Sequence, residues 1–547
     1  MTIEIRGPAQ PSQTRRLVLQ TPAALGLALA GFSGESLAAL DPVTGSRGKG
    51  TPQRGGVLVR SMSGDPPNFD PMSNTTGRVI SVVGACCNGL VRFDEFEANK
   101  IVPDLAESWQ VSDDEKTYTF RLRSGVKFHD GRPMTSADVK HTFDVLRAPP
   151  PGVVSVRAQL LEAVTSIEAS NPTIVRFNLS RKSPGLLANL AGGWMVVLPK
   201  HILEKGPMKD QLIGTGPFKL KEYKRGTSVE LVRNPDYHVP GKPYLDGVKI
   251  FIIPDANTEF AYFRTGQIDV IDSSSPHLAL QWEKEIGARG AYMVGGPSQS
   301  ALAVHFNTQQ KPWDDIRVRK AACLAINREQ ALQTLMKGEG VVGGWACPGP
   351  WAMTPAELSK IPGYAKYSDA NIKQAKALLA EAGFPNGFKD AMLVRRLDLY
   401  TPLAIFVKDQ LSKIGIDLAI DPQETAAYNT TRANRQFKLD AGARTYLTND
   451  PDAIFGDSVT CKGATNYASV CDPKTDELFT RVSQETDPKK RLVLSKEIET
   501  RAMQAYGSYM VLWRNQYRFY QKNVHGWAKH PQEDNSSRME DCWKSKA

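Results

Sequence analysis

The segment from residue 392 to residue 420 constrains the fold most, because its hydrophobic pattern predicts a strand, a helix and a strand in close succession. A short apolar strand at 392–394 is followed by an amphipathic helix at 402–414, with Gly415 as the end signal. Residues 416–420 then alternate between apolar and polar, as on a half-buried strand. Two strands joined through a helix form a parallel βαβ unit with a right-handed crossover. The second half of the chain is therefore predicted to be α/β.

The first half has a different pattern, in which strands dominate. Tyr118, Phe120 and Leu122 alternate with polar residues, which is typical of a half-exposed antiparallel strand. Thr135 precedes an amphipathic helix and Asp138 stands three residues later, as in a capping box. Without an N-terminal segment of about 50 residues the chain retains roughly 500, about three times a usual domain. At least two lobes are therefore predicted. Further strands are predicted at 57–59, 229–232 and 248–253, and a further helix after Ser368 or Asp369.

The N-terminus has the pattern of an export signal. Arg15 and Arg16 precede a mildly apolar stretch from Ala23 to Phe32, and small residues at 36–39 suit a signal peptidase. The Arg pair favours a twin-arginine signal, although a general secretory signal with an incidental Arg pair stays open. The apolar stretch covers about 10 residues, whereas a membrane span needs roughly 20. We expect signal at 1–39, a linker at 40–55, and an exported, soluble, periplasmic protein without membrane insertion.

Charge and motifs exclude several classes of function. The chain has 68 Lys and Arg against 58 Asp and Glu, but the basic residues are scattered, so no nucleic-acid partner is expected. No phosphate-binding Gly loop, His-Glu-x-x-His, Gly-x-Ser-x-Gly or Cys-x-x-Cys occurs, and the eight His residues lack ligand spacing. The sequence therefore predicts neither catalytic residues, nor a metal site, nor a cofactor, and the protein is expected not to be an enzyme.

Seven cysteines in an oxidising compartment permit three disulfides and one free thiol. Cys461 and Cys471 are the best pair, because they stand ten positions apart and close a short loop that can bend back. Adjacent Cys86 and Cys87 rarely bond each other, and Cys323 lies in a helical apolar pattern that favours a buried thiol. Cys347 and Cys542 remain unassigned.

Many ordered sequence blocks resemble one family, the extracellular solute-binding proteins of family 5, which are the oligopeptide, dipeptide and nickel receptors of bacterial ABC importers. The likeness covers nearly the whole mature chain, and the block from Cys461 to Asp472-Pro473 is similar to a subgroup of that family. The blocks that carry it are 55–58, 103–109, 120–131, 214–218, 230–237, 317–321, 377–384 and 410–416.

The resemblance implies a two-lobed α/β fold of the periplasmic-binding-protein type, with an extra subdomain on the first lobe. The ligand, a peptide-like or other organic solute, would lie between the lobes, which are joined by two segments near residues 300 and 510. Implied partners are the ABC permease and ATPase subunits, with the receptor itself a monomer. The implied segments are lobe I at 56–95 and 211–300, the extra subdomain at 96–210, lobe II at 301–511, and a C-terminal return to lobe I at 512–547.

The family pattern is broken in the block before Asp450-Pro451. Peptide receptors of this family often carry Gly-Trp-x-x-Asp-Tyr-x-Asp-Pro, whose first Asp pairs with the ligand's ammonium group. Alignment on Asp450-Pro451 puts Leu447 at that Asp and Arg444 at the Trp. A buried ammonium without its carboxylate would cost several kcal/mol. We therefore do not expect capture of a free peptide N-terminus in the usual manner.

Arg444 is predicted instead to hold a carboxylate or phosphate, with a solvent-exposed or Asp-paired Arg as the alternative. The other cleft candidates follow strand ends or lie beside Arg444, and each also has an ordinary structural explanation in a turn, in packing or as a solvated charge. Alternative functions are a receptor for a nickel-chelate or opine-type solute and an exported hydrolase on the same fold. The remaining cleft candidates are Asn68, Phe69, Arg395, Arg396, Tyr400, Thr445 and Tyr446.

Overall fold

The computed structural model describes residues 51–151, 155–273, 275–287, 290–397 and 399–546. The predicted signal and most of the predicted linker lie outside these residues. The fold begins at strand β1 (Val57–Met62), which contains the strand predicted at 57–59. Helix α1 and two short paired strands follow, and they are α1 (Gly77–Cys86), β2 (Val91–Phe93) and β3 (Ile101–Pro103).

The extra subdomain is a separate four-stranded antiparallel sheet with its own core. The predicted alternation is confirmed, because Tyr118, Phe120 and Leu122 are buried in that core. The capping box is also confirmed, since Thr135 N donates to Asp138 Oδ2 at 2.9 Å. The elements, with sheet order β4-β5-β7-β6, are β4 (Ala106–Val111), β5 (Thr117–Leu122), α2 (Ser136–Arg147), β6 (Val164–Asn171), β7 (Ile174–Leu179), α3 (Leu186–Ala191) and α4 (Lys200–Leu203).

The chain then returns to the sheet that contains β1 and completes lobe I. In this sheet β1 runs parallel to both of its neighbours, whereas the outer strands are antiparallel. The strands predicted at 229–232 and 248–253 are present. The elements, with order β11-β1-β10-β9-β8, are β8 (Phe218–Lys224), β9 (Ser228–Arg233), β10 (Gly247–Ile252), α5 (Ala256–Arg264), β11 (Val270–Ser273) and α6 (Pro276–Ile286).

Lobe II contains the parallel unit that the sequence predicts. The strand at 388–395 and the strand at 416–423 pair in parallel across the helix at 401–412, so the βαβ prediction is confirmed. A largely apolar core covers one face of this sheet. The elements are β12 (Tyr292–Phe306), α7 (Ile316–Ala325), α8 (Arg328–Met336), β13 (Gly340–Val341), α9 (Pro355–Leu358), α10 (Asp369–Glu381), β14 (Phe388–Arg395), α11 (Thr401–Ser412), β15 (Ile416–Gln423), α12 (Thr425–Ala433), β16 (Leu439–Thr445), α13 (Pro451–Val459), α14 (Pro473–Val482) and α15 (Pro488–Gln504).

Two long antiparallel strands join the lobes. They are β12 and β17 (Ser508–Tyr520), and both belong to one eleven-stranded sheet. Ten of its strands follow the order β15-β14-β16-β12-β17-β11-β1-β10-β9-β8, and β13 pairs with β17 beside this path. Their pairing register shifts between Pro297 and Ala301, where the partners change from lobe I strands to lobe II strands. After β17 the chain ends with a short pair on lobe I, β18 (Val524–His525) and β19 (Trp543–Lys544).

The structure therefore has the predicted α/β fold of two lobes and an extra subdomain, while the predicted segment boundaries stay predictions. The described residues also contain two short 3₁₀ helices, at Ala158–Leu161 in the extra subdomain and at Glu533–Ser536 near the C-terminus.

Candidate functional site

The candidate site lies where parallel strands of lobe II end. Strand β14 runs parallel to both β15 and β16, so Arg395 and Thr445 end their strands at the same edge of the sheet. Ligands of such sheets bind outside the carboxyl ends of the strands. The positions of the predicted cleft residues are therefore described relative to this edge.

Arg444 is buried at this edge, and its guanidinium is only partly satisfied. The side chain is 2% exposed, and Nη1 donates to the Thr465 carbonyl oxygen at 2.8 Å and to Thr465 Oγ1 at 3.0 Å. Nε and Nη2 are buried and have no hydrogen-bond partner in the part of the chain that the structure describes. Burial, and then the nearby Arg432, lower the pKa of Arg444. The charged form of this side chain is therefore less stable here than it would be in water.

Arg432 and Arg435 share one aromatic ring with Arg444, and Arg395 shares the Tyr428 ring with Arg432. We call the four arginines together the guanidinium cluster. The Tyr467 ring lies 3.7 Å from the Arg432 guanidinium carbon and 5.2 Å from those of Arg435 and Arg444. Such cation–π contacts hold the cations in place without neutralising them. The cluster is therefore predominantly positive.

One buried carboxylate and one buried histidine lie against the cluster. Asp440 forms a 2.8 Å salt bridge with Arg432 and accepts a 2.8 Å hydrogen bond from Tyr428. Burial, and then Arg432 and Arg444, lower the pKa of His305 well below its ordinary value, so His305 is neutral. The Asp457 carboxylate affects the pKa of Arg444 electrostatically, but no salt bridge between the two is present.

Of the predicted cleft residues at the end of β14, Arg395 and Tyr400 contact each other, whereas the Arg396 side chain forms an ion pair elsewhere. Arg395 Nη2 donates to Tyr400 Oη at 2.8 Å, and its guanidinium carbon lies 5.8 Å from the Tyr428 ring. Arg396 is exposed and pairs with Glu424 at 3.1 Å. The structure therefore connects Arg395 and Tyr400 to the cluster, whereas Arg396 lies in a solvated ion pair.

Thr445 and Tyr446 follow Arg444 but differ in exposure. Thr445 is exposed, and its hydroxyl lies 2.9 Å from Ser300 Oγ on β12. Tyr446 is 2% exposed, donates from its hydroxyl to the Trp345 carbonyl oxygen at 2.9 Å, and packs near the Trp513 ring. Thr445 is thus open to a ligand, whereas Tyr446 is held within lobe II.

Leu447, which the sequence alignment predicts to replace an ammonium-binding Asp, lies between the lobes. It packs against the apolar core of lobe I. A Cβ added at Gly192 of lobe I would lie 3.5 Å from the Leu447 side chain. The structure therefore places an apolar side chain at position 447, in contact with the opposite lobe.

Asn68 and Phe69, the lobe I candidates, have structural contacts. Asn68 Oδ1 accepts from Asp70 N at 2.9 Å and from Asn74 Nδ2 at 2.8 Å, which fixes a turn. Phe69 is 3% exposed, and its ring centre lies 5.6 Å from that of Tyr223. The structure does not bring these two residues together with the guanidinium cluster.

Sequence reasoning missed a lobe I group that faces Asp457. Arg157 donates to the carbonyl oxygens of Pro71 and Asn74 at 2.7 and 2.8 Å, and it stacks 4.0 Å above the Trp194 ring. Trp194 Nε1 in turn donates to Asp534 at 2.6 Å. Arg157 also acts electrostatically on Asp457 of lobe II. These residues come from three distant parts of the chain, so no local pattern could have indicated them.

The predicted disulfide is present, and it closes the loop that carries Tyr467 and Thr465. Cys461 and Cys471 are bonded, whereas Cys86, Cys87, Cys323, Cys347 and Cys542 are free and buried. The described residues contain no group of three or more His, Cys, Asp or Glu side chains arranged to hold a metal ion. Within the same residues, no helix has the length and apolar character needed to cross a membrane.

Comparison with known proteins gives consistent results. The family model described as bacterial extracellular solute-binding proteins, family 5 Middle, matches residues 100–466. The oligopeptide-binding protein AppA of Bacillus subtilis is 28% identical over 89% of this chain and 91% of its own length. The dipeptide-binding protein of Escherichia coli is 27% identical over 81% of this chain and 86% of its own length.

Solved structures agree. AppA in complex with a nonapeptide matches with a TM-score of 0.78 at 26% identity, covering 91% of this chain and 100% of that one. The PBP AgaA of A. tumefaciens R10, in complex with agropinic acid, matches with a TM-score of 0.80 at 26% identity, covering 90% of this chain and 99% of that one. The chain belongs to the bacterial extracellular solute-binding proteins of family 5.

Proposed function

We propose that this protein captures an organic solute bearing a carboxylate or a comparable acidic group, and that Arg444 binds that group. As a family 5 solute-binding protein, the chain holds its solute between two lobes and delivers it to an ABC importer. We further propose that it acts in the periplasm as a monomer, with the permease and ATPase subunits as partners, and that it releases its solute chemically unchanged.

The unpartnered edge of Arg444 carries the proposal. In a planar guanidinium, Nε and Nη2 present their N–H groups along one edge, which matches the two oxygens of a carboxylate. The Nη1 group is already bound to Thr465, so the remaining donors are those two. A buried donor without a partner costs about 1–3 kcal/mol. A ligand carboxylate would satisfy both donors and neutralise a buried cation.

The replacement of the ammonium-binding carboxylate by Leu447 supports an acidic solute. An ammonium group placed there would be buried against Leu447 and the core of lobe I without a counter-charge. A relative of similar fold was solved with agropinic acid, a solute named as an acid. We therefore favour an acidic opine-type solute, or a peptide bound through a carboxylate, over a peptide bound through its N-terminus.

Closure of the lobes couples binding to transport. Hinge motion about a few residues is the usual way in which two lobes enclose a ligand. Strands β12 and β17 connect the lobes, and their register shift at 297–301 is the natural position for such a hinge. A ligand that contacts both lobes stabilises the closed form only by its differential affinity, and a shift from 1:99 to 99:1 needs about 5.5 kcal/mol.

Titration calorimetry with agropinic acid and with the dipeptide Met-Leu tests the proposal. Arg444→Met keeps most of the side-chain volume but removes the charge, and we expect it to weaken binding of an acidic solute at least tenfold, since a hydrogen-bonded charge pair is lost. Arg481→Met, which removes an exposed Arg from α14 of the same lobe, is the matched control. An unchanged affinity in Arg444→Met would contradict the proposal, and recovery of a transformed solute would contradict the receptor role.

A further inference from the structure

We infer that the disulfide-bonded loop from Cys461 to Cys471 sets the preference for acidic ligands, because Thr465 in this loop positions the Arg444 guanidinium. The inference rests on the proposed function, in which Arg444 binds the acidic group. Thr465 is a positioning residue, since it acts through Arg444.

The hydrogen bonds of Thr465 fix both its own hydroxyl group and the Arg444 guanidinium. Its carbonyl oxygen and its hydroxyl oxygen both accept from Arg444 Nη1, at 2.8 and 3.0 Å. Its hydroxyl donates its single proton to the Asp457 carbonyl oxygen at 3.1 Å, and its backbone N–H donates to the same oxygen at 2.9 Å. The hydroxyl therefore has a defined orientation, in which its lone pairs remain available to the guanidinium.

The loop that carries Thr465 is tied down at several points. The disulfide closes it, and Asn466 Nδ2 donates to the carbonyl oxygens of Thr460 and Val470 at 3.0 and 2.6 Å. Gly463 lies so close to α13 that a Cβ would stand 2.4 Å from the Asp457 carbonyl oxygen. The loop is thus fixed to the end of α13, and Thr465 moves only if that attachment moves.

The other neighbours of Arg444 do not fix its direction. The Trp345 and Tyr467 rings lie 5.6 and 5.2 Å from its guanidinium carbon, and ring contacts tolerate rotation in the ring plane. Arg432 carries the same charge and repels it. Among the described residues, Thr465 alone accepts hydrogen bonds from the Arg444 guanidinium.

Orientation matters because two-point recognition of a carboxylate tolerates only small angular errors. With Nη1 held by Thr465, the Nε–Nη2 edge is presented to the ligand in one orientation. If the guanidinium rotates, it can still meet an acid through a single donor, but the preference for a carboxylate over a neutral group falls. Loosening the loop should therefore weaken binding of the acidic ligand more than it weakens binding of neutral analogues, which lowers the selectivity for the acid.

Crystal structures of ligand-free Thr465→Val and Thr465→Ser variants test the positioning directly. Valine preserves the shape but removes the hydroxyl, whereas serine retains it. We expect the Arg444 guanidinium to shift or to occupy several conformers in Thr465→Val and to keep its place in Thr465→Ser. An unmoved guanidinium in Thr465→Val would overturn the inference, whatever the ligand is.

Calorimetry with Met-Leu and with its C-terminal amide, at equal ionic strength, tests the consequence. We expect the preference for the acid over the amide to fall about tenfold in Thr465→Val and to be retained in Thr465→Ser. Thr480→Val, which changes an exposed Thr on α14, is the matched control and should leave the preference unchanged. A double variant, Cys461→Ser with Cys471→Ser, should lose the preference as Thr465→Val does. If the affinities for the acid and for the amide fall equally, the variant has loosened the site as a whole, which would contradict a positioning role for Thr465.

The Arg444→Met variant separates the two proposals. If it keeps the preference for the acid, the proposed function itself fails. If it loses the preference while Thr465→Val keeps it, the proposed function stands and the inference about the loop is wrong. If neither form of the dipeptide binds the wild-type protein, the crystal structures decide the inference.

Discussion

Arg538 on the lobe I side and Arg444 in lobe II are both largely buried, but they are satisfied in different ways. In lobe I and its extra subdomain, Arg538 forms a 2.7 Å salt bridge with Asp104, and Arg92 forms one of 3.1 Å with Glu540. In lobe II, buried Arg444 is held by one threonine and two rings, and its Nε–Nη2 edge has no partner in the described chain. Lobe II also pairs buried arginines with carboxylates, as in the Arg432–Asp440 and Arg491–Asp450 salt bridges, so Arg444 differs from its own neighbours as well as from Arg538.

We propose that this difference separates a structural ion pair at Arg538 from a ligand-binding group at Arg444. A buried ion pair contributes little net stability when intact, but loss of one partner leaves an uncompensated charge and is strongly destabilising. A buried cation whose partner is missing in the folded protein is already in that costly state. In our proposal a ligand supplies the counter-charge to the unpartnered edge of Arg444, whereas Asp104 supplies it to Arg538.

The largest effect is expected from breaking the lobe I network at Asp104. This carboxylate is 4% exposed and accepts from Asn88 Nδ2, from Gly89 N and from Arg538. Asp104→Asn should lower the free energy of unfolding by about 3–5 kcal/mol, because the Arg538 cation remains buried without its partner. Urea unfolding measures this change, and a loss below about 1 kcal/mol would contradict the comparison.

Glu95 on the lobe I side is a buried carboxyl group without a hydrogen-bond partner among the described residues, and it gives a pH-dependent prediction. Both of its carboxyl oxygens are buried without partners, and burial raises its pKa to about 7 from an ordinary 4.5. Because the folded pKa is the higher one, the unfolded state ionises first, and stability is lost as pH rises from about 4.5 to 7. Glu95→Gln should remove this loss. The free energy of unfolding of Glu95→Gln minus that of wild type should therefore be about 3 kcal/mol larger at pH 8 than at pH 4.

Urea unfolding of both proteins at pH 4 and pH 8 checks the sign. Parallel pH dependence in wild type and Glu95→Gln would show that Glu95 is ionised or solvated in the folded protein.

In lobe II, removal of the disulfide should have a smaller effect on stability. The bond closes a loop between residues ten positions apart, and replacing both cysteines by serine should cost about 2–3 kcal/mol in the chain-entropy model. Denaturant unfolding of oxidised wild type and the double variant measures it. A much larger loss would mean that the loop supports the whole lobe and does more than fix Thr465 and Tyr467.

The smallest stability effect is expected from Arg444→Met. This change removes two hydrogen bonds to Thr465 but also removes a buried cation without a paired carboxylate, so the two effects offset each other. We expect the free energy of unfolding to change by at most about 1 kcal/mol, while acidic-ligand binding is lost. Destabilisation as large as that of Asp104→Asn would remove the contrast between Arg444 and Arg538.

The sequence predicted those parts of the fold that depend on local pattern. The alternation at 118–122, the capping box at Thr135 and the βαβ unit at 388–423 each arise within one short segment, so periodicity reveals them. The short spacing of Cys461 and Cys471 made their pairing predictable for the same reason. Strand ends were less accurate, since β14 begins at Phe388, before the predicted start.

The site was harder to predict, because its contacts link distant segments. Arg444 was found only because a family pattern placed it beside Asp450-Pro451, and its bond to Thr465 could not be read from spacing. Arg396 and Arg395 are neighbours in sequence, yet one is exposed with Glu424 and the other contacts Tyr400. The direction of each side chain depends on tertiary packing, which local patterns do not encode.

The most direct test of the account is native mass spectrometry of the protein isolated under non-denaturing conditions from the bacterium that produces it, followed by identification of the molecule released on denaturation. The account predicts a small organic molecule with at least one carboxylate or phosphate group, present in wild type and in Arg481→Met and absent from Arg444→Met. Release of a molecule without an acidic group, or equal retention by Arg444→Met, would contradict it.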